Sequence, residues 1–366
     1  MDNKNYSRRD FLKKAGQISL VLGSGLSLET VFGGCTSIRL LTENQEEVDA
    51  MLESHPAIPT PPGQCYAGWH NDVPLFWAAF GQTSSEVEDT GFEDETKILE
   101  HYEKRFGQGP AVHSISDRNI GRHYFPAGVV RAAHSKGVIP MIRYYPVHNW
   151  QRISQGAIDD SLKEFCDSAV EENKPFIFTP FPEVGLTSGS HPWIKWDPKY
   201  FVPAWDRMYN IAEKTDVNKI MLWGLHLIGS FTKMRRPYKP FYVDPSQVNM
   251  VGVSLYDKPE VYGRRPFRTG LGSDYHDITA KYETKPFAIW ELGTTVRDSS
   301  GKRNEVAMGK WILRTYETIT KWPRIKLLVW YGINWRDHNT SFIIGEAQDY
   351  YRKAISNRHF IGSRKL

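Results

Sequence analysis

Two glutamates stand where apolar, strand-like runs of the chain stop. The first closes Pro175-Phe176-Ile177-Phe178-Thr179-Pro180-Phe181-Pro182-Glu183, and the second closes Lys285-Pro286-Phe287-Ala288-Ile289-Trp290-Glu291 just before Leu292 and Gly293. A lone carboxylate in such a place reads most simply as a salt-bridge partner for a loop Lys or Arg. Two of them facing one small gap can do more. Cleavage of a glycosidic bond uses one carboxylic acid to protonate the leaving oxygen and a second carboxylate to attack the sugar or activate water. A separation of about 5–5.5 Å goes with retention of configuration. The acid must hold its proton near neutral pH, which apolar surroundings and a nearby second carboxylate both favour. Glu183 and Glu291 are therefore the candidate catalytic pair.

Such a pair needs a scaffold that brings distant strand ends together. Apolar runs at Cys65–His70, Ala111–Asp117, Ile139–Tyr145, Phe176–Phe181, Lys219–Leu227, Val248–Tyr256, Phe287–Leu292 and Lys326–Ile333 read as strands. Between them, helix-like stretches fall near Asp94–Phe106, Ala127–Lys136, Asp159–Glu172, Lys199–Lys214 and Glu305–Lys321. The connections after the fifth and sixth strands read as long loops with less helix, such as Phe231–Gln247. Several strands are apolar on both faces, for example Ile220-Met221-Leu222-Trp223, as strands buried between a barrel interior and a helix layer must be. Eight strands with helical crossovers predict a single α/β domain over residues 64–366, a (β/α)8 TIM barrel. In that fold chemistry sits at the C-terminal strand ends, and the fourth and seventh strands lie roughly across the barrel from each other. The alternative is a doubly wound open sheet. Against it, Gly68-Trp69-His70-Asn71-Asp72 after the first strand carries no G-x-G-x-x-G loop for a nucleotide phosphate.

The composition narrows the function classes. The 366 residues carry 46 Lys+Arg against 42 Asp+Glu, so a net charge of +4 is too small and scattered to argue for nucleic acid. Three cysteines make neither a disulfide framework nor a four-thiolate zinc site. Cys65 and Cys166 read as buried, unpaired thiols. Half of the basic excess lies in the first 35 residues. There, Ser7-Arg8-Arg9-Asp10-Phe11-Leu12-Lys13 precedes a short apolar run from Ile18 to Leu28. That pattern predicts a twin-arginine export signal and a place in the bacterial cell envelope. Phe32-Gly33-Gly34-Cys35 is similar to a lipobox, which makes Cys35 a candidate lipidation site. Residues 36–63, polar and ending in Pro-Thr-Pro-Pro-Gly, read as a flexible tether.

From the fourth strand to the eighth the sequence resembles a known family. Glu183 is followed by Trp193 and by Tyr200-Phe201-Val202-Pro203-Ala204-Trp205. Trp223 stands in the fifth strand, Val248-Asn249-Met250-Val251-Gly252-Val253-Ser254-Leu255-Tyr256 forms the sixth, and Lys285-Pro286-x-x-Ile289-x-Glu291-x-Gly293 the seventh. Together these motifs are similar to those of the clan A retaining glycosidases, and most closely to glycoside hydrolase family 26, the β-mannanase type. The resemblance covers residues 64–345. It implies Glu183 as general acid/base, Glu291 as nucleophile, Tyr256 as a hydrogen-bond partner orienting the nucleophile, Trp330 as the floor under the −1 sugar, and Trp223 and Trp193 as further substrate-binding aromatics. It also implies a β-linked polysaccharide substrate, with mannan first and β-glucan or β-xylan behind it.

One departure stands out. The family places His, and the wider clan Asn, directly before the acid/base; this chain has Pro182, which has no side-chain donor. The usual Asn-Gly after the acid is replaced by Val184-Gly185.

Other residues at strand ends are weaker candidates for subsite walls: His113, Trp69, His70, His226 and Asn334-Trp335-Arg336-Asp337. Aromatic rings at loop ends suit sugars, because their apolar faces stack while hydroxyls find hydrogen bonds. Arg235-Arg236 and Arg264-Arg265 read as solvated charge, or as contacts for an acidic polysaccharide. The chain has no H-x-x-x-H, C-x-x-C, G-x-S-x-G or P-loop motif, so no metal or cofactor is expected. The partners expected are a polysaccharide or oligosaccharide, with no nucleic acid, a membrane met only through a lipid anchor, and a monomeric state. The competing reading is a non-catalytic glycan-binding lipoprotein on the same barrel.

Overall fold

The structure is a computed structural model that describes residues 63–70, 84–117, 124–187, 191–229, 237–259, 264–332, 343 and 345–363, with backbone only for 84–94 and 116–117. All of these belong to one compact unit, Gln45–Leu366. The export signal, Cys35 and residues 36–62 of the tether lie outside the described residues.

Strands and helices alternate as β1 (Cys65–His70), α1 (Ser84–Phe106), β2 (Val112–Asp117), α2 (Ala127–Ser135) and β3 (Ile139–Tyr144). There follow α3 (Trp150–Ser154), α4 (Asp159–Glu172), β4 (Phe176–Pro180), α5 (Phe201–Glu213), β5 (Met221–Ile228) and β6 (Met250–Asp257). The chain continues through α6 (Phe267–Lys281), β7 (Phe287–Thr294), α7 (Glu305–Ile319), β8 (Ile325–Tyr331), α8 (Ala347–Ile355) and a short β9 (Phe360–Ile361). β1 to β8 pair in sequence order, every ladder is parallel, and β1 pairs with both β8 and β2, so the sheet closes. This is the (β/α)8 barrel that the strand pattern predicts, and the open doubly wound sheet is excluded. β9 adds in parallel to the start of β1.

One expectation fails. The connection after β6 is not simply a long loop: it contains α6, a helix of 15 residues. Gly270 and Gly272 and a polar composition weaken its apolar period, and burial of Phe267, Leu271, Tyr275 and Ile278 against the sheet stabilises it instead. Arg324 seals its C-terminal end by donating to the carbonyls of Thr279, Tyr282 and Lys285.

Register decides which residues face inward. Tyr66, Val112, Met141, Ile177, Leu222, Met250, Ala288, Leu327 and Val329 fill the barrel, and every second residue from them along a strand shares their face. By that alternation His70, Ser114, Arg143, Thr179, His226, Ser254 and Tyr331 line the inner C-terminal end. β7 breaks the rule once. Val253 pairs with Ile289 but Ser254 pairs with Glu291, so Trp290 is the extra residue of a bulge. The bulge lets Trp290 fill the interior, with its Nε1 donating to the carbonyl of Leu225 at 2.9 Å, and still turns Glu291 inward. Without it, strict alternation would send Glu291 into the helix layer.

Glycines make room for that device. The Trp290 ring lies against Gly224, and a Cβ on Gly252 would collide with the Ala288 carbonyl oxygen across the β6–β7 ladder. Backbone cannot yield as a side-chain tip can. Gly252→Ala should therefore cost about 3 kcal/mol, seen as a fall in Tm of about 6 °C or more by calorimetry. An unchanged Tm would show that the ladder beneath the bulge is not rigid.

Candidate active site

The two carboxylates reach the inner mouth of the barrel by different routes. Glu291 is placed by the β7 bulge and is 1% exposed. Glu183 lies just beyond β4, where the backbone turns through two left-handed residues, Phe181 (φ 55°) and Glu183 itself (φ 60°). Such conformations cost about 1–3 kcal/mol each for non-glycine residues and persist only where the surroundings impose them. Here the chain is pinned immediately afterwards. Val184 bridges to Leu227 of β5, donating to the carbonyl of His226 at 3.0 Å and accepting from Ile228 at 3.1 Å. Phe181 is held among Trp150, Trp193 and Phe201.

A buried arginine joins the pair. Arg143, inward on β3, forms an ion pair with Glu291 and lies within electrostatic reach of Glu183. Burial works against its charge, but Glu291 first, then Tyr145, Glu183 and Tyr331, keep the guanidinium protonated above its ordinary range. The same Nη1 that meets Glu291 also lies 3.1 Å from His70 Nε2. A guanidinium only donates, so His70 accepts at Nε2 and carries its proton on Nδ1. Nδ1 in turn lies 2.8 Å from Ser114 Oγ. β2, β1, β3 and β7 are thus linked by one chain of polar contacts ending on Glu291.

Glu183 has its own partner. His191 Nε2 lies 2.8 Å from Glu183 Oε2. Burial alone would push the Glu183 carboxyl up, but the His191 hydrogen bond and charge, followed by Arg143 and His226, hold it well below the usual carboxylate range. His226, facing inward on β5 with Nε2 2.6 Å from Ser254 Oγ, is driven far below the ordinary histidine value by burial and then by Arg143.

The remaining sequence candidates separate cleanly by face. Tyr256 is inward on β6, half-buried, with its ring edge-on to Tyr331 at 5.3 Å. Trp193 is buried behind His191, parallel to its ring at 4.9 Å. Four candidates are not brought to the mouth. Trp330 alternates with the inward Val329 and Tyr331, so it points outward and packs on Tyr351 of α8. Trp223 points outward against Phe178, Trp205 and Tyr209, its Nε1 donating to Asn218. His113 also faces the helix layer, where its Nδ1 meets Glu95 of α1 at 2.5 Å. Trp69 likewise packs outward, on Tyr102, Phe106 and Tyr351, whereas His70 is inside. The aromatic ring that β8 presents at the mouth is Tyr331, stacked on His70 at 5.3 Å. Arg264 and Arg265 are engaged: both approach Asp257, and Arg264 also donates to Thr294 and Thr295 at the top of β7. Arg235-Arg236 and residues 334–337 lie outside the described residues.

Sequence reasoning missed Arg143, His191 and Tyr331. Arg143 carries a signal in hindsight, since an arginine inside the apolar run Ile139–Tyr144 has to find a buried partner. Cys65 and Cys166 are buried free thiols. Among the described residues no group of three His, Cys, Asp or Glu is arranged to hold a metal ion.

Comparison with solved structures identifies the architecture. A family 26 glycoside hydrolase (GH26A) from Muricauda sp. MAR_2010_75 superposes with a TM-score of 0.55 at 13% identity, covering 89% of this chain and 97% of that one. The modular endo-β-1,4-mannanase of Cellulomonas fimi gives 0.58 at 15% identity, over 89% of this chain and 76% of that one. The catalytic domain of the Bacillus sp. JAMB-750 GH26 endo-β-1,4-mannanase gives 0.58 at 13%, over 88% and 91%. The chain has a glycoside hydrolase family 26-like fold. No sequence-family model matches it, and no curated protein matches it by sequence. At these identities the likeness defines the family 26-like barrel and leaves the chemistry to the residues at its mouth.

Proposed function

We propose that the protein is a retaining glycoside hydrolase acting on a β-linked polysaccharide, with Glu291 as nucleophile and Glu183 as acid/base. The observation that carries this reading is the convergence of the two buried carboxylates, from the ends of β4 and β7, on Arg143 at the barrel mouth. In the first step Glu183 gives a proton to the glycosidic oxygen while a Glu291 oxygen attacks the anomeric carbon, and the C–O bond to the leaving sugar breaks. In the second, Glu183 takes a proton from water, whose oxygen displaces Glu291 from the sugar. Arg143 suits Glu291 to the nucleophile role by keeping it ionised in a buried site.

β-Mannan is the first substrate to test, and the inward rings of Tyr256 and Tyr331 at the mouth support a role for both in meeting the sugar. Tyr331→Ala should raise KM about tenfold through lost stacking, while the outward Trp330→Phe should leave KM unchanged and lower Tm. The reverse pattern would return Trp330 to the sugar floor. By the sequence signals, the enzyme works in the bacterial envelope after twin-arginine export, lipid-anchored at Cys35.

One observation favours the non-catalytic glycan binder. A Glu183 carboxyl held low by His191 does not readily keep the proton that an acid must deliver. A panel of mannan, β-glucan and β-xylan with chromatographic product analysis separates the two readings. Cleavage with β-configured new reducing ends supports the enzyme. Binding that survives Glu183→Ala and Glu291→Ala, with no product, supports the binder.

A further inference from the structure

Pro182 offers no side-chain donor beside the acid/base, yet Glu183 is not left alone, because a residue eight positions later reaches it. His191 precedes Pro192, which forces it into an extended conformation (φ −71°, ψ 133°) at the head of the turn Pro192–Lys195. That turn brings Trp193 parallel to the imidazole at 4.9 Å and 5°. Tyr145, following β3, lies along the same ring at 5.7 Å and is itself 5.3 Å from Trp193. The imidazole is thus held by two aromatic rings, with Nε2 aimed at Glu183 Oε2 at 2.8 Å. The two carboxylate oxygens are consequently unlike. Oε2 is occupied by His191, whereas Oε1 is buried without a hydrogen-bond partner.

We propose that His191 is the positioning residue of the general acid/base: it locks Oε2 so that Oε1 carries the proton given to the leaving group and later taken from water. This rests on the glycosidase reading above. The proton moves from Oε1 to the glycosidic oxygen, the O–H electron pair stays on the carboxylate, and His191, donating from Nε2 throughout, stabilises the anion at Oε2. Water returns a proton to Oε1 in the second step. No other reactant is needed. The groups facing Glu183 are His191 from the loop after β4, Arg143 from β3 and His226 from β5, with Glu291 and His70 beyond Arg143. Of these, His191 alone contacts the carboxylate directly among the described residues and has rings to hold it.

The test compares His191→Ala and His191→Gln with the wild-type protein. The substrates are the oligosaccharide cleaved best in the panel and its 2,4-dinitrophenyl glycoside. His191→Ala should slow the oligosaccharide at least tenfold more than the activated glycoside, which needs little acid assistance. His191→Gln, whose amide still donates to Oε2 but carries no charge, should recover part of the rate. It should also move the alkaline limb of the pH profile up by about one unit, because the imidazole whose contact holds the Glu183 carboxyl low has gone. Equal losses on both substrates with an unmoved alkaline limb would overturn the proposal. A second readout does not depend on turnover: with carbon-13 glutamate, the Glu183 carboxyl signal, identified by its loss in Glu183→Gln, should titrate at higher pH in His191→Gln. An unchanged midpoint also overturns the proposal. A raised midpoint in a protein that cleaves nothing upholds the His191 control of Glu183 and sinks the glycosidase reading alone.

Discussion

Replacing Glu291 by alanine is expected to abolish cleavage on every substrate, by about four orders of magnitude or more, even where the leaving group is a good one. In the proposed double displacement both steps pass through a Glu291 oxygen, first as attacker and then as leaving group, so an easier departure of the aglycone could not compensate. Glu183→Ala should behave differently, losing poor leaving groups and keeping activated ones. Azide adds a chemical signature. It fills the gap in Glu291→Ala and attacks from the face Glu291 used, yielding an inverted, α-configured glycosyl azide. In Glu183→Ala it attacks the intermediate and yields the β product. The control is folding, because losing Glu291 leaves Arg143 charged and buried with its ion-pair partner gone. Circular dichroism and Tm should therefore accompany the kinetics, with Glu291→Gln as the isosteric variant. Full activity in a folded Glu291 variant would end the assignment.

Arg143→Met should be the most destabilising single change at the mouth. It removes the cation opposite Glu291, a carboxylate 1% exposed, and breaking a buried pair by deleting one partner costs about 3–5 kcal/mol. For a barrel of this size that is a fall in Tm of about 10 °C. The sign reverses when both charges go. Arg143→Met with Glu291→Gln should recover much of the loss, because neither charge is then stranded, and a double-mutant cycle reads the coupling. In the single variant the acid limb of the activity profile should move to higher pH, since the Glu291 anion has lost its stabilising charge. Strictly additive stabilities would mean that the pair is solvated and that Arg143 has no part in keeping Glu291 ionised.

Much of the scaffold was legible because strands buried on both faces are continuous apolar runs. The run expected at Phe176–Phe181 is observed at Phe176–Pro180, and that at Lys219–Leu227 at Met221–Ile228. The same property hid the faces. When both sides of a strand are apolar, alternation carries no label for inside and outside, so Trp223, Trp330 and His113 were placed at the mouth although register turns them outward. The helix α6 was hidden for another reason: Gly270, Gly272 and the polar residues around them dilute the apolar face formed by Phe267, Leu271, Tyr275 and Ile278. His191 lies beyond sequence reasoning altogether, because its meeting with Glu183 depends on a backbone reversal through two left-handed residues.

By itself, then, the sequence determined eight strands, their parallel order and the presence of one carboxylate past the end of β4 and another near the end of β7. These follow from local hydrophobicity and spacing. Tertiary structure alone decided which oxygens and rings meet. A single extra residue at Trp290 shifts the parity of β7 and turns Glu291 inward, and closure of the sheet pairs Arg143 with Glu291 within electrostatic reach of Glu183, 108 positions earlier in the chain. Side-chain direction in a sheet has a period of two residues, so one inserted residue reverses it, and no local pattern in an all-apolar strand records that reversal.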